Sequence, residues 1–284
     1  VFTGALSRAA GETVAGGPYA ISQGTLSAGS NYTLSFTGAN FTITPATLAI
    51  TANALSKVYG AADPSLTFTH SGLANGDDAS IITGALTRAA GETVAGGPYA
   101  ITQGTLGASS NYVIDFTGAG LTITPKTLTV AVSANDKVYD GTATATGTIG
   151  ALTGIVGSDD VTAAGSGTFA FANKNVGAGK SVSVSGLTLS GTDASNYTLS
   201  STASSSASIT PATLSVTAID VSKTYGQADP MIPFSSSGFV GGDNASLFTG
   251  ALSRAAGETV AGGPYAISLG TLSAGGNYTI DFTG

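Results

Sequence analysis

Apolar and polar residues alternate with a period of two along much of this chain. Thr47-Leu48-Ala49-Ile50-Thr51, Leu121-Thr122-Ile123-Thr124 and Ser181-Val182-Ser183-Val184-Ser185 each put aliphatic side chains on one side and hydroxyls or alanine on the other. Residues 127–132 do the same. That spacing predicts strands buried on one face. The best helical candidate, Gly84 to Glu92, is short and interrupted by Gly91, so it reads as a strand followed by a turn. Clusters of Gly, Asn, Asp and Pro separate the alternating runs. Their spacing predicts about six to eight short strands in each full repeat, a sandwich-like, all-β pattern.

The pattern recurs. Thr3-Gly4-Ala5-Leu6 opens a block ending at Gly24, and near-identical blocks span 83–104 and 249–270. The first two copies differ only at Ser7/Thr87 and Ser22/Thr102, and the third differs from the first only at Leu269. Pro45, Pro125 and Pro211 follow a recurring Ile-Thr, and Asn-Tyr recurs at Asn31, Asn111, Asn196 and Asn277. Lys-X-Tyr recurs at Lys57, Lys137 and Lys223. These markers delimit four repeats. Repeat one (1–45) is the C-terminal part of a domain, repeat two (46–125) is complete, repeat three (126–211) is complete but of another type, and repeat four (212–284) lacks its last strand. The reading expects the natural chain to extend both ways, or its ends to be completed by neighbouring molecules. Thr-Pro-Ala or Thr-Pro-Lys joins one repeat directly to the next, and proline restrains the hinge. An extended, stiff string of small domains is expected.

Composition narrows the chemistry. Only 9% of residues are charged, against roughly 25% in an ordinary globular protein. Glycine supplies 41 of 284 residues, and there is no Trp or Cys. The chain therefore buries many small side chains, and it has neither a disulfide framework nor thiolate metal ligands. Net charge is −7 and the nine Lys and Arg residues are scattered. Nucleic-acid binding needs a positive face, so it is not expected. No stretch approaches the ~20 apolar residues of a membrane-spanning helix, so membrane insertion is not expected either.

Candidate sites are few. His70 is the only histidine, so an imidazole metal centre or a Ser-His-Asp triad lacks partners, and a surface strand position is expected. Asp77-Asp78, Asp159-Asp160 and Asp243 lie in glycine-rich loops. Their oxygens are weak candidates for calcium, against the alternative of aspartates bonding their own turns. Arg88 and Glu92 recur as Arg8/Glu12 and Arg254/Glu258. They read as a structural ion pair, or as a carboxylate capping backbone amides. Tyr59, Tyr139 and Tyr225 are platforms for sugar stacking or, as one residue per repeat favours, packing residues. Tyr99, after Gly96-Gly97-Pro98, is expected to tie its hydroxyl to nearby backbone at a corner. Sequons at Asn31, Asn40, Asn196, Asn244 and Asn277 read as turn chemistry.

Repeats one, two and four resemble MBG domains, a mostly β, glycine-rich class. The residues that carry the likeness are Lys-X-Tyr-Gly, Ala62-Asp63-Pro64 and Ala228-Asp229-Pro230, then Gly-Asp, Arg-X-X-Gly-Glu, Tyr-X-Ile, Asn-Tyr and Leu-Thr-Ile. Repeat three resembles the related YDG domain, through Tyr139-Asp140-Gly141, Gly157-Ser158-Asp159, Asn175-Val176-Gly177 and Asn196-Tyr197. The resemblance implies a very large bacterial surface protein of the adhesin kind, an extracellular stalk or matrix role, and no catalytic residues. No cofactor is expected apart from the weak calcium candidates named above. Expected partners are the neighbouring repeats, other copies in a fibre, and a host or matrix surface reached through further domains. A structural spacer is the first reading. A carbohydrate- or protein-binding module, or a subunit of a self-assembling filament, is the alternative.

Overall fold

The computed structural model describes residues 1–200 and 203–284. Strands, turns and single-turn 3-10 helices account for the regular structure, and no α-helix occurs among the described residues. They divide into two compact units, Val1–Lys126 and Thr127–Gly284.

In the first unit, repeat one forms β1 (Ser7–Arg8), β2 (Tyr19–Ser22) and β3 (Ala39–Phe41), a sheet in the order β1-β2-β3. Repeat two forms β4 (Ala46–Ala52), β5 (Leu55–Val58), β6 (Phe68–Ser71), β7 (Thr87–Arg88), β8 (Tyr99–Thr102), β9 (Tyr112–Thr117) and β10 (Ala119–Thr124). They make two sheets, β5-β10-β8-β7 and β6-β4-β9. The helical candidate at Gly84–Glu92 is strand β7 followed by a turn. Strand β4 runs parallel to β9 and antiparallel to β6, while β5, two residues further on, runs parallel to β10 in the other sheet. Both sheets are therefore mixed, unlike the antiparallel sheets of an immunoglobulin sandwich. Side-chain alternation sets which face is buried; it carries no information on which strand lies alongside or in which direction.

The core of repeat two comes from Leu48 and Ile50 of β4, Tyr99 and Ile101 of β8, and Leu121 and Ile123 of β10. Leu48 and Ile50 are fully buried while Thr47 and Thr51 face outward, following the alternation. Burial of each such Leu or Ile contributes about 1.5–3 kcal/mol. On the outer faces, hydroxyls pair across strands. Ser7 meets Ser22 at 2.9 Å and Thr87 meets Thr102 at 2.9 Å.

In the second unit, repeat three forms β11 (Lys126–Ala134), β12 (Lys137–Val138), β13 (Thr144–Ala145), β14 (Gly147–Thr153), β15 (Thr162–Ala164), β16 (Thr168–Phe171), β17 (Gly177–Ser185), β18 (Thr188–Ser190), β19 (Tyr197–Leu199) and β20 (Ala203–Thr210). That exceeds the expected number, because β12, β13, β15, β18 and β19 are too short to leave an alternation in the sequence. The sheets are β12-β20-β17-β16-β13, β14-β11-β19 and β15-β18. Phe169, Phe171, Val182, Val184 and Ile209 fill the core between them.

Repeat four forms β21 (Ala212–Ala218), β22 (Phe234–Ser237), β23 (Ser253–Arg254), β24 (Ile267–Ser268) and β25 (Tyr278–Thr283). Its β22-β21-β25 sheet repeats the parallel pairing of β4 with β9. Phe248 stands edge-on to Phe234 and Phe239 at centroid separations of 5.1 and 5.6 Å. Beside β24, where β10 lies in repeat two, a groove of about 550 Å³ is lined by Val221, Lys223, Tyr265 and Ile267. Tyr265 and Ile267 are consequently half-buried, whereas Tyr99 and Ile101 are 7% and 1% exposed. The cross-strand hydroxyl pair here is Ser253 with Ser268, at 2.8 Å.

Candidate functional site

The most concentrated chemistry in repeat two is a ring of four alternating charges. Lys57 lies on β5 with its side chain only 5% exposed. Its Nζ donates to Asp63 Oδ1 at 2.6 Å and to Glu92 Oε2. Arg88, on β7, closes the ring. Its Nε donates to Asp63 Oδ2 at 2.6 Å, and its Nη2 to Asp63 Oδ1 at 3.1 Å and to Glu92 Oε1. Arg88 Nη1 also donates to the carbonyls of Ala89 (2.9 Å) and Gly91 (2.7 Å), tying β7 to the turn that follows. Repeat four rebuilds the ring from Lys223, Asp229, Arg254 and Glu258, with contacts of 2.5 to 2.9 Å. Repeat one has the Arg8–Glu12 pair, with Arg8 more exposed than Arg88.

This arrangement fixes protonation. Hydrogen bonds from Arg88 and then Lys57 pull the Asp63 carboxyl down to about 2, and Arg254 and Lys223 do the same to Asp229. Lys57 and then Arg88 lower Glu92, while Asp63 and then Glu92 raise Lys57. Acid–base catalysis near neutrality needs a group whose proton is exchangeable there. The ring does the opposite: every member is driven further from neutrality. Sequence reading found the Arg88–Glu92 half. The other half, Lys57 and Asp63, sat in motifs quoted only as repeat markers, and their recurrence beside Arg254 and Glu258 was the available signal.

The tyrosine corner lies against the ring. Arg88 stacks its guanidinium 5.5 Å from the Tyr99 ring centroid. Tyr99 Oη accepts from the Thr93 amide at 3.0 Å and donates to the Thr93 carbonyl at 2.8 Å. The ring lies so close to Gly91 (φ +138°) that a Cβ there would stand 2.1 Å from Tyr99 Cε1. Tyr19 and Gly11 repeat this in repeat one; in repeat four Tyr265 keeps the bond to the Thr259 carbonyl and the close approach to Gly257.

The acidic loops are occupied by tyrosines. Asp77 accepts from Tyr112 Oη at 2.8 Å, Asp159 from Tyr197 at 2.5 Å, and Asp243 from Tyr278 at 2.8 Å. Burial and then Asp159 raise the Tyr197 phenol; burial and then Asp243 raise that of Tyr278, with hydrogen bonds from the Val156 and Val240 amides pulling each the other way. Asp78 accepts from the Ser80 amide at 2.8 Å, capping a short turn, and Asp160 accepts from the Thr192 amide at 3.0 Å. Among the described residues, no group of three or more His, Cys, Asp or Glu side chains could hold a metal ion. His70 is exposed on β6, an edge strand. In repeat three, burial opposes ionisation of Asp140, yet hydrogen bonds from Lys137 (2.8 Å) and Thr142 outweigh it and hold its carboxyl at about 2. Of the three Lys-X-Tyr tyrosines, Tyr139 is 2% exposed, Tyr59 is partly buried against the core of repeat two, and Tyr225 is 71% exposed.

Small glycine-rich β domains in tandem, with mixed parallel and antiparallel sheets, define a repeat protein of mixed-sheet sandwich type. Residues 1–42, 48–122 and 214–284 match the MBG domain (YGX type), and residues 124–205 match the YDG domain. The chain belongs to the MBG domain family and carries a YDG domain within it. No curated protein and no solved structure matches it.

Proposed function

We propose that the chain is a structural repeat region, a stalk or spacer without catalysis, of a bacterial extracellular adhesin or matrix protein. One observation carries this reading: the same ion ring is rebuilt in repeats two and four, and all of its charges face one another. A binding or catalytic site needs distinctive residues in one place, whereas a spacer needs one fold many times. The low charge and the absence of cysteine suit a long exported chain. Its partners on this reading are its own neighbouring repeats, and any surface contact is made by domains beyond them.

Stretching the chain between two handles tests the reading. Separate unfolding events are expected, with roughly 260–290 Å of contour released for the 80 residues of repeat two at about 3.3–3.6 Å each. Saturable binding of a defined glycan, abolished by substitutions in one repeat only, would make it a binding module instead.

A further inference from the structure

Two junctions between successive repeats use the same contact. In the first unit, Asn111, just before β9, accepts the Val14 amide of repeat one through Oδ1 at 2.9 Å. In the second, Asn277, just before β25, accepts the Val176 amide of repeat three through Oδ1, also at 2.9 Å. The residues preceding the two valines differ completely: Gly11-Glu12-Thr13 in repeat one and Asn173-Lys174-Asn175 in repeat three. The asparagine reads a backbone N–H, which any loop of the right shape presents.

The second junction adds further contacts. Tyr139 Oη donates to Asp243 Oδ2 at 3.0 Å, the same oxygen that receives Tyr278 Oη at 2.8 Å. The two tyrosine rings meet edge to face at 5.4 Å. Gly141 lies against Gly241, where a Cβ would stand 2.4 Å from the Gly241 Cα. Tyr139 and Gly141 belong to the Tyr-Asp-Gly motif; Asp243, Asn277 and Tyr278 belong to the Gly-Asp and Asn-Tyr motifs of the next repeat, and Gly241 directly precedes its Gly-Asp. In the first unit, Asp77 and Tyr112 line the equivalent cleft beside Asn111, with Glu12 and Val14 of repeat one across from them.

We infer that the Gly-Asp and Asn-Tyr motifs of a repeat form a docking socket for the repeat before it, and that this socket accepts MBG and YDG repeats alike. Asn111 and Asn277 each accept a main-chain amide, a contact that does not depend on the class of the preceding repeat; at the second junction Asn277 Nδ2 also donates to the Asn175 side-chain oxygen at 3.3 Å. At the second junction Asp243 has two partners, Tyr278 of its own repeat and Tyr139 arriving from its neighbour; at the first, Asp77 holds Tyr112 of its own repeat. The inference concerns how repeats are joined and stands whether or not the array serves as a stalk.

The absence of native cysteine makes the test direct. In the full chain, spin labels at exposed Ser185 and Ser253 report the distance between repeats three and four; labels at exposed Ser215 and Ser253 report repeat four alone. The expected result for Asn277→Ala is loss of the single narrow Ser185–Ser253 distance, with the Ser215–Ser253 distance unchanged. Asn277→Asp, which retains an acceptor oxygen, restores the narrow distance. A chain in which residues 126–211 are replaced by a copy of 46–125, labelled at matching positions, also gives a narrow distance. A narrow distance in Asn277→Ala overturns the socket, and a broad one in the exchanged chain overturns its indifference to class. Disorder within repeat four in Asn277→Ala would reassign Asn277 to that repeat's own fold and likewise overturn the socket.

Discussion

Replacing Tyr99 by phenylalanine isolates one oxygen atom. The ring stays in place, with its contact to Gly91 and its face toward the Arg88 guanidinium. What is removed is an acceptor for the Thr93 amide, at 3.0 Å, and a donor to the Thr93 carbonyl, at 2.8 Å. Each such bond contributes about 0.5–1.5 kcal/mol net, and both groups are only partly buried, so water replaces part of the loss. Tyr99→Phe should therefore destabilise repeat two by about 1–2 kcal/mol. For a domain of that size, each kcal/mol lowers the melting temperature by about 4–8 °C. Amide hydrogen exchange across residues 93–99 is the suitable assay, because it reads local opening rather than the average of the whole chain. Tyr265→Phe is the internal comparison. Tyr265 is half-buried and has one short backbone bond, to the Thr259 carbonyl at 2.8 Å. Its loss should be smaller. Equal effects at the two positions, or no change in exchange at Thr93, would refute the claim that the corner hydroxyl holds the glycine-rich turn.

Further outcomes follow from the same geometry. Gly91→Ala should cost about 2–5 kcal/mol in denaturant titration, since it combines a positive φ with a Cβ forced into the Tyr99 ring. Asp63 and Asp229 have carboxyls lowered in the folded state from the ordinary 3.8 to about 2. Their stabilisation is thus complete above about pH 4 and lost as pH falls through 2. Urea midpoints between pH 5 and pH 2 should fall, and fall less in the doubly substituted Asp63→Asn, Asp229→Asn chain. Excess EDTA should leave melting unchanged, because Asp77, Asp159 and Asp243 already accept tyrosine hydroxyls; a rise in melting temperature on adding calcium would contradict this.

What could be read from sequence was local. The alternation around Leu48 and Ile50 marks a strand and its inner face because both are properties of adjacent residues. The turn at Gly84–Glu92 is legible because glycine breaks the helical pattern within one turn. Partners across a loop were not legible. Lys57 and Asp63 meet Arg88 and Glu92 only after β5 and β7 are placed in one sheet, and nothing in either segment encodes that placement. The acidic loops were ambiguous for the same reason: Asp77 and Tyr112 are distant in the chain, and carboxylates near glycine suit calcium as well as a phenol until the loop is closed. Only the recurrence of both motifs in the same order hinted that they meet.

The hydroxyl pair at the β7–β8 edge bears on how copies of one domain drift apart. The two differences between the blocks of repeats one and two fall at the two positions that face each other across this edge: Ser7 with Ser22 becomes Thr87 with Thr102. The third block has serine on both sides, Ser253 with Ser268. No copy mixes the two. Between the first two blocks change is confined to this rung, and in all three the rung keeps a matched hydroxyl-to-hydroxyl bond of 2.8 to 2.9 Å. Duplicated domains of this kind can accumulate individuality in pairs of letters while every joint and every charge ring stays interchangeable.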